Sequence, residues 1–370
     1  MTLSLATGLA EWARAHQGES IEVTFVTRTP ANGMDDSKFP FPVVRRPSIP
    51  ELIRLFRSAD VINLAGPAVV PLTLSWILRK PTVLDHHGYQ SVCPNGILVY
   101  GPDRSICPGH FMAKRYGKCI QCNRREMGLV GSIRNLLLTL PRRWLSKRVT
   151  TNVGVSPHVS RRVNLPRTTT IWNGVPDLTN GRDIAFDLPI CFGYLGRLVT
   201  DKGLPVLLRA GRELASKGYD FRVRIVGDGP ERGNLENMAQ ALGLLDRTEF
   251  IGSVPATGIQ QTLQGVTVMV MPSVCEDVAP LAAMEQMMEG RLLIASNIGG
   301  LGIIANGGGL TFPVGDAGGL AARMQQVLDD PSCAAVLGKR ARQLALETFT
   351  QDRMVAEHVR LYRNVMGAAT

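Results

Sequence analysis

The sequence predicts an α/β chain of two doubly wound domains facing each other across a cleft. Two observations carry this. Short β-branched runs alternate with longer helix-like stretches, and the alternation occurs twice over. The length, 370 residues, suits two domains of ordinary size. The chain is 45% hydrophobic and 19% charged, so it can bury substantial cores and is not a disordered segment.

In the first half, strands are expected at IEVTFVT (21–27), DVINLAG (60–66), PTVLDHH (81–87) and RVTTNVGVS (148–156). Helices such as IPELIRLFRS (49–58) separate them. In the second half, strands are expected at 189–197, 219–229, 248–254, 266–272 and 291–296, with helices over 204–218 and 231–244. TTTIWNGVPDLTNGRD (168–183) reads as the linker, and the stretch from 351 as one amphipathic helix. The expected division is residues 1–175, 176–350 and a helix over 351–370 that packs back on the first domain.

Several classes are excluded. The longest apolar stretch, 61–78, is broken by Asn63, Pro67 and Pro71, so it is not a membrane span. The first residues carry no basic segment before an apolar one and do not read as a secretory signal. Seven cysteines, an odd number, argue for a reduced, cytoplasmic setting rather than a disulfide framework.

The net charge is +10, and all of the excess lies in the first half. Arg124, Arg125 and the stretch RNLLLTLPRRWLSKR (134–148) are its densest part. This is either a surface that meets anionic lipid or an anionic acceptor, or an ordinary solvated helix face. No nucleic-acid partner is expected, because no recognised module or aromatic–basic interleaving is present.

The informative loops follow strands. GRLVTDKG (196–203) places Arg197 and Lys202 beside a helix start, which suits a diphosphate. GDGPER (227–232), with Gly229, allows a ligand close to the backbone. MPSVCEDVAPLAAME (271–285) carries Asp277 in a loop and Glu285 in the following helix, where carboxylates can accept from sugar hydroxyls. SNIGGLG (296–302) adds Gly299 and Gly300. Singly, each reads equally well as a turn or a surface charge. Together they describe a nucleotide-sugar site.

With those residues in place, the second half resembles the donor domain of a family 4 retaining glycosyltransferase, a family with the GT-B architecture of two Rossmann-like domains. GRLVTDKG, RIVGDGPER, the Asp277-x7-Glu285 pair, EQMMEG (285–290) and IASNIGGLG (294–302) fall in order over about 189–350. HHGYQSVCPNG (86–96) and CPGHFMAKRYGKCIQC (107–122) resemble a bacterial subgroup, and WNGV (172–175) resembles the close of the family's first domain. The resemblance implies that Arg197 and Lys202 bind the donor diphosphate, Glu285 the ribose and Asp277 the donor sugar. His87, six residues before Cys93, aligns with an acceptor-side histidine near the reacting sugar. The implied donor is a UDP-, GDP- or ADP-sugar, the acceptor a cell-surface glycan or lipid-linked glycan, and no metal is required for chemistry. The implied location is the cytoplasm, including the inner face of the cell membrane.

The chain departs from the family pattern in three places. Asp277 stands where a glutamate is usual, Ile303 and Ile304 follow the GGLG turn where an acid is usual, and the chain opens inside what should be the first helix. The expectation is therefore a first domain lacking its first strand and glycine-rich loop, or a start that lies upstream. Two further readings stay open: an inactive relative that still binds a nucleotide sugar, and a zinc-containing nucleic-acid binder.

Cys93, Cys107, Cys119 and Cys122 run C-x13-C-x11-C-x2-C in an insert of about 30 residues. The spacing fits a tetrahedral structural zinc site, less well an iron–sulfur cluster, and equally four reduced thiols.

Overall fold

The computed structural model describes residues 2–16, 21–31, 35–178 and 189–367. The chain forms two units. One comprises 1–102, 107–174 and 350–370; the other comprises 103–106 and 175–349.

The strands are, in chain order, β1 (Phe25–Thr27), β2 (Val43–Arg45), β3 (Ile62–Leu64), β4 (Thr82–His86), β5 (Val99–Tyr100), β6 (Ser105–Ile106), β7 (Thr151–Gly154) and β8 (Thr168–Thr170). Then come β9 (Cys191–Leu195), β10 (Arg222–Val226), β11 (Thr248–Gly252), β12 (Val266–Met271), β13 (Leu292–Ser296) and β14 (Leu310–Phe312). The helices of the first half are α1 (Thr2–Ala15), α2 (Ile49–Ser58), α3 (Val69–Ile77), α4 (Tyr116–Ser146) and α5 (Pro157–Val163). Those of the second are α6 (Leu204–Ser216), α7 (Arg232–Ala241), α8 (Ile259–Thr262), α9 (Leu281–Met288), α10 (Gly299–Gly308), α11 (Ala317–Asp329), α12 (Pro331–Thr348) and α13 (Gln351–Gly367).

In the first unit, β3-β4-β7-β8 form a parallel sheet. Among the described residues β1 and β2 pair in parallel only with each other, so these strands make two sheets rather than one. Every residue of β4 is buried, as expected for a strand covered on both faces. α2 starts where the Ser48 hydroxyl accepts from the Glu51 amide, and it turns Leu52 and Phe56 inward. α1 and α13 share a core: Leu5 and Leu9 meet Met354, Val355 and Val359 over Val83 and Val153.

The expected linker begins too early. Thr168–Thr170 is the strand β8, registered on Asn152–Gly154, because three β-branched residues suit a pleated edge. Residues 179–183 of that stretch lie outside the described residues. β2 and β14, three residues each, were not legible, being too short to show alternation.

The second unit has one parallel sheet, ordered β11-β10-β9-β12-β13-β14. β12 is buried at all six positions and β13 at all five, which is why both read as unbroken apolar runs. The chain winds outward from β9 through β10 to β11, then restarts on the other side at β12. β9 and β12 are therefore neighbours across a topological switch point, where open α/β sheets bind ligands beyond their carboxyl ends.

Candidate active site

The loops after β9 and β12 meet at this switch point. Arg197 is exposed two residues past β9, and Lys202 ends a short 3-10 turn before α6. Lys202 Nζ lies 2.6 Å from Asp277 Oδ1, and the Ser273 hydroxyl donates to Asp277 Oδ2 at 2.6 Å. The Val274 amide donates to the Asp201 carbonyl, tying the two loops together. Tyr194, buried at the end of β9, donates its hydroxyl to the Arg197 carbonyl. Burial and the nearby Asp277 push the Tyr194 phenol well up, so it stays a neutral donor. Burial and Asp277 likewise push the Cys275 thiol up to about 12, which makes it a poor nucleophile at neutral pH.

Glycines set how closely these loops approach. Gly227 has φ +138°, and a Cβ there would collide with the Gly196 carbonyl oxygen. A Cβ on Gly229 would collide with the Leu198 carbonyl, so its small size serves loop against loop. Gly299 (φ +60°) and Gly300 press on the backbone of Asp277 and Val278, and the Gly300 amide donates to the Asp277 carbonyl at 2.7 Å. Gly227→Ala is expected to destabilise the chain by about 1–3 kcal/mol from backbone strain alone. A urea midpoint equal to that of the parent would overturn this.

Glu285 lies in α9, half-buried, with no hydrogen-bond or ion-pair partner among the described residues. Burial, then Glu289, raises its pKa. A carboxyl raised in the folded state contributes stability that is complete below its unfolded value and is lost as pH rises through the folded one. At neutral pH the carboxylate therefore costs stability. Glu285→Gln is expected to raise Tm at pH 7, with the gain shrinking as pH falls towards about 4. Equal Tm values for both proteins at pH 7 would contradict this.

In the first unit, the two histidines at the end of β4 differ. His86 is buried and pairs with Asn152 Oδ1 at 2.9 Å, a structural contact. His87 is partly exposed and lines a cavity of about 10 Å³ with Asp85 and His358. Burial lowers the His87 pKa, against an opposing pull from Asp85. Sequence reasoning did not single out Asp85 or His358. Asp85 accepts from Asn63 Nδ2 at 2.9 Å and faces His358 Nε2 at 3.7 Å, an ion-pair distance too long for a hydrogen bond. His358 Nδ1 faces the Met354 carbonyl at 2.8 Å, so it carries a proton there, and the carboxylate favours a second on Nε2. The only sequence signal was the DHH run itself. Ser273 and Tyr194 were missed in the same way, although both flank residues that were singled out.

Cys93, Cys107, Cys119 and Cys122 line one cavity with His110 and Asn123. All four thiols are free, and among the described residues no three Cys, His, Asp or Glu side chains could hold a metal ion. Two of the thiols meet the insert's own acceptors: Cys93 donates to Asn95 Oδ1 at 2.8 Å and Cys122 to the Val99 carbonyl at 3.4 Å. Phe111, Cys119 and Leu136 supply a small apolar core.

Residues 185–344 match the family model described as glycosyl transferases group 1. Over 179 residues the chain is 31% identical to the 2-deoxystreptamine glucosyltransferase of Streptomyces kanamyceticus, covering 47% of this chain and 46% of that protein. Over 171 residues it is 31% identical to the glycogen synthase of Mycobacterium tuberculosis, covering 46% and 41%. The matched segment thus spans less than half the length of either relative. Among solved structures, Anabaena HepE in complex with UDP superposes with a TM-score of 0.71 at 16% identity, over 97% of this chain and 96% of that one. A glycosyltransferase from Rickettsia africae superposes with a TM-score of 0.71 at 15% identity, over 98% and 94%. The fold is thus that of GT-B glycosyltransferases, and within it residues 185–344 are similar to the glycosyl transferases group 1.

Proposed function

We propose that the chain moves a sugar from a nucleotide-sugar donor to a glycan or lipid-linked glycan acceptor, with retention of anomeric configuration. One observation carries this reading: the Lys202–Asp277 pair at the β9/β12 switch point, with the exposed Arg197 guanidinium in the same loop. Two cations beyond the carboxyl ends of parallel strands suit a diphosphate, and they offset the charge that builds on a departing nucleotide. In this reading, donor phosphate takes Lys202 from Asp277, and the freed carboxylate turns to the donor sugar. Glu285, which has no side-chain partner among the described residues, accepts from the ribose hydroxyls. UDP-sugars are the first candidates, because HepE structures contain UDP and UDP-glucose. His87, held neutral by burial, serves on the acceptor side of the first unit. The work is done at the inner face of the cell membrane.

The test is a thermal-shift screen of the full chain against UDP-, GDP- and ADP-sugars, with Glu285→Ala as control. A rise in Tm for one nucleotide class, lost in the control, is expected. No shift with any class would sink the donor site, and a shift without transfer to any glycan would favour an inactive binder.

A further inference from the structure

The part of α4 beyond Gly128, where the helix bends (φ 68°, ψ 177°), is built inside out. Its buried face carries Leu136 and Leu145 but also three hydroxyl residues, Ser132, Thr139 and Ser146. The three hydroxyls donate back to the carbonyls of Gly128, Asn135 and Arg142, a local solution for polar groups set against protein. Its exposed face carries Val130, Ile133, Leu137, Leu140 and Trp144, at spacings of three and four that make one continuous apolar stripe. Val130 is 81% exposed and Leu137 59%. The stripe extends onto α3, where the Trp76 ring meets Trp144 edge-on at 5.2 Å and Ile77 is exposed.

We infer that this face docks on an anionic lipid surface. The inference deepens the reading of a lipid-linked acceptor, on which it rests, by naming the surface that would bring the enzyme to it. Charge selects the occupant. From 127 to 148 the chain holds Arg134, Arg142, Arg143, Lys147 and Arg148 and no acid. A second copy docking by the same stripe would bring like charges together, whereas acidic headgroups neutralise them. Arg148 stacks 3.4 Å from the Trp144 ring centroid, placing cation and indole together as a membrane–water interface favours. Beside them an open groove of about 530 Å³ is lined by Trp76, Ile77, Arg79, Lys80 and Arg148, a setting for a phosphate headgroup. No described helix is long and apolar enough to cross a membrane, so the contact is one of lying on the surface.

The test is co-sedimentation of the full chain with vesicles of phosphatidylcholine alone or mixed with phosphatidylglycerol, at low and high salt. The protein is expected to bind the mixed vesicles, to be released by salt, and to lose about tenfold or more in affinity as Val130→Glu/Leu137→Glu. Equal binding to neutral vesicles would overturn the anionic surface. No binding, or a dimer in solution that the double variant dissociates, would overturn docking on lipid altogether. The nucleotide-sugar thermal shift on the same samples separates the two readings. If the shift persists without vesicle binding, only the docking surface falls; if vesicle binding persists without the shift, only the donor site falls.

Discussion

Lys202→Ala is expected to lower sugar transfer by about 10²–10³-fold, the usual cost of losing one preorganised group aimed at developing charge. The effect should fall on kcat more than on KM, because the charge on a departing nucleotide diphosphate grows towards the transition state. The structure adds a second consequence. Lys202 is the ion-pair partner of Asp277 at 2.6 Å, so its removal leaves that carboxylate held by the Ser273 hydroxyl and a long contact from the Cys275 thiol, with no cation beside it. Lys202→Arg should recover part of the loss, since a guanidinium can reach phosphate but not with the same point charge. A Lys202→Ala protein that transfers sugar at the parent rate would remove the diphosphate role.

The largest effect on stability is expected at Asp85. Burial pushes its carboxyl up, but His358, His87 and Asn63 more than offset this and hold it below the ordinary carboxylate range. Burial pulls the His358 pKa down, but Asp85 and the Met354 carbonyl more than offset this and hold it up. The two directions agree, so the pair is ionised in the fold. Removing one partner of a buried pair leaves the other charge uncompensated, and Asp85→Ala should cost about 3–5 kcal/mol. The pH dependence follows from the signs. The His358 contribution is complete below its unfolded pKa, about 6.5, and is lost as pH rises through its folded value. The Asp85 contribution is present above its unfolded pKa and lost as pH falls through its folded one. The penalty of Asp85→Ala should therefore be largest in mildly acidic to neutral solution and shrink in alkaline solution, where His358 is neutral in both proteins. Urea titrations on either side of that window would test it, and an equal penalty at both would show that the ion pair contributes nothing.

Much of the second unit was legible because its central strands are apolar on both faces and its loops carry glycines. Val266–Met271 could hardly be anything but a buried strand, and the residues after it had to sit at a sheet end. What could not be read were contacts between distant segments. Nothing local says that Lys202 grips Asp277 75 positions later, or that Asp85 faces a histidine on α13. The cysteine spacing limits only the reach of the chain, not where thiols point, so the contacts of Cys93 with Asn95 and of Cys122 with the Val99 carbonyl were not legible. The 134–148 stretch was legible as basic and rich in leucine, yet which of its side chains faced water was not. Leu137, Leu140 and Trp144 face water, whereas Leu136, Thr139 and Leu145 are buried.

The seating of α13 has a consequence for how the chain is made. The core that holds α1 against β4 and β7 is completed by Met354, Val355 and Val359, and Gln351 reaches back to the Ser4 carbonyl across 347 positions. During synthesis the second unit leaves the ribosome before α13 does, so Leu5 and Leu9, which also pack on Val83 and Val153, are expected to gain their full cover only once α13 emerges. The expected order of maturation is the reverse of the usual one, in which an earlier domain folds first. A nascent chain arrested before residue 350 should be the species on which proteases and chaperones act.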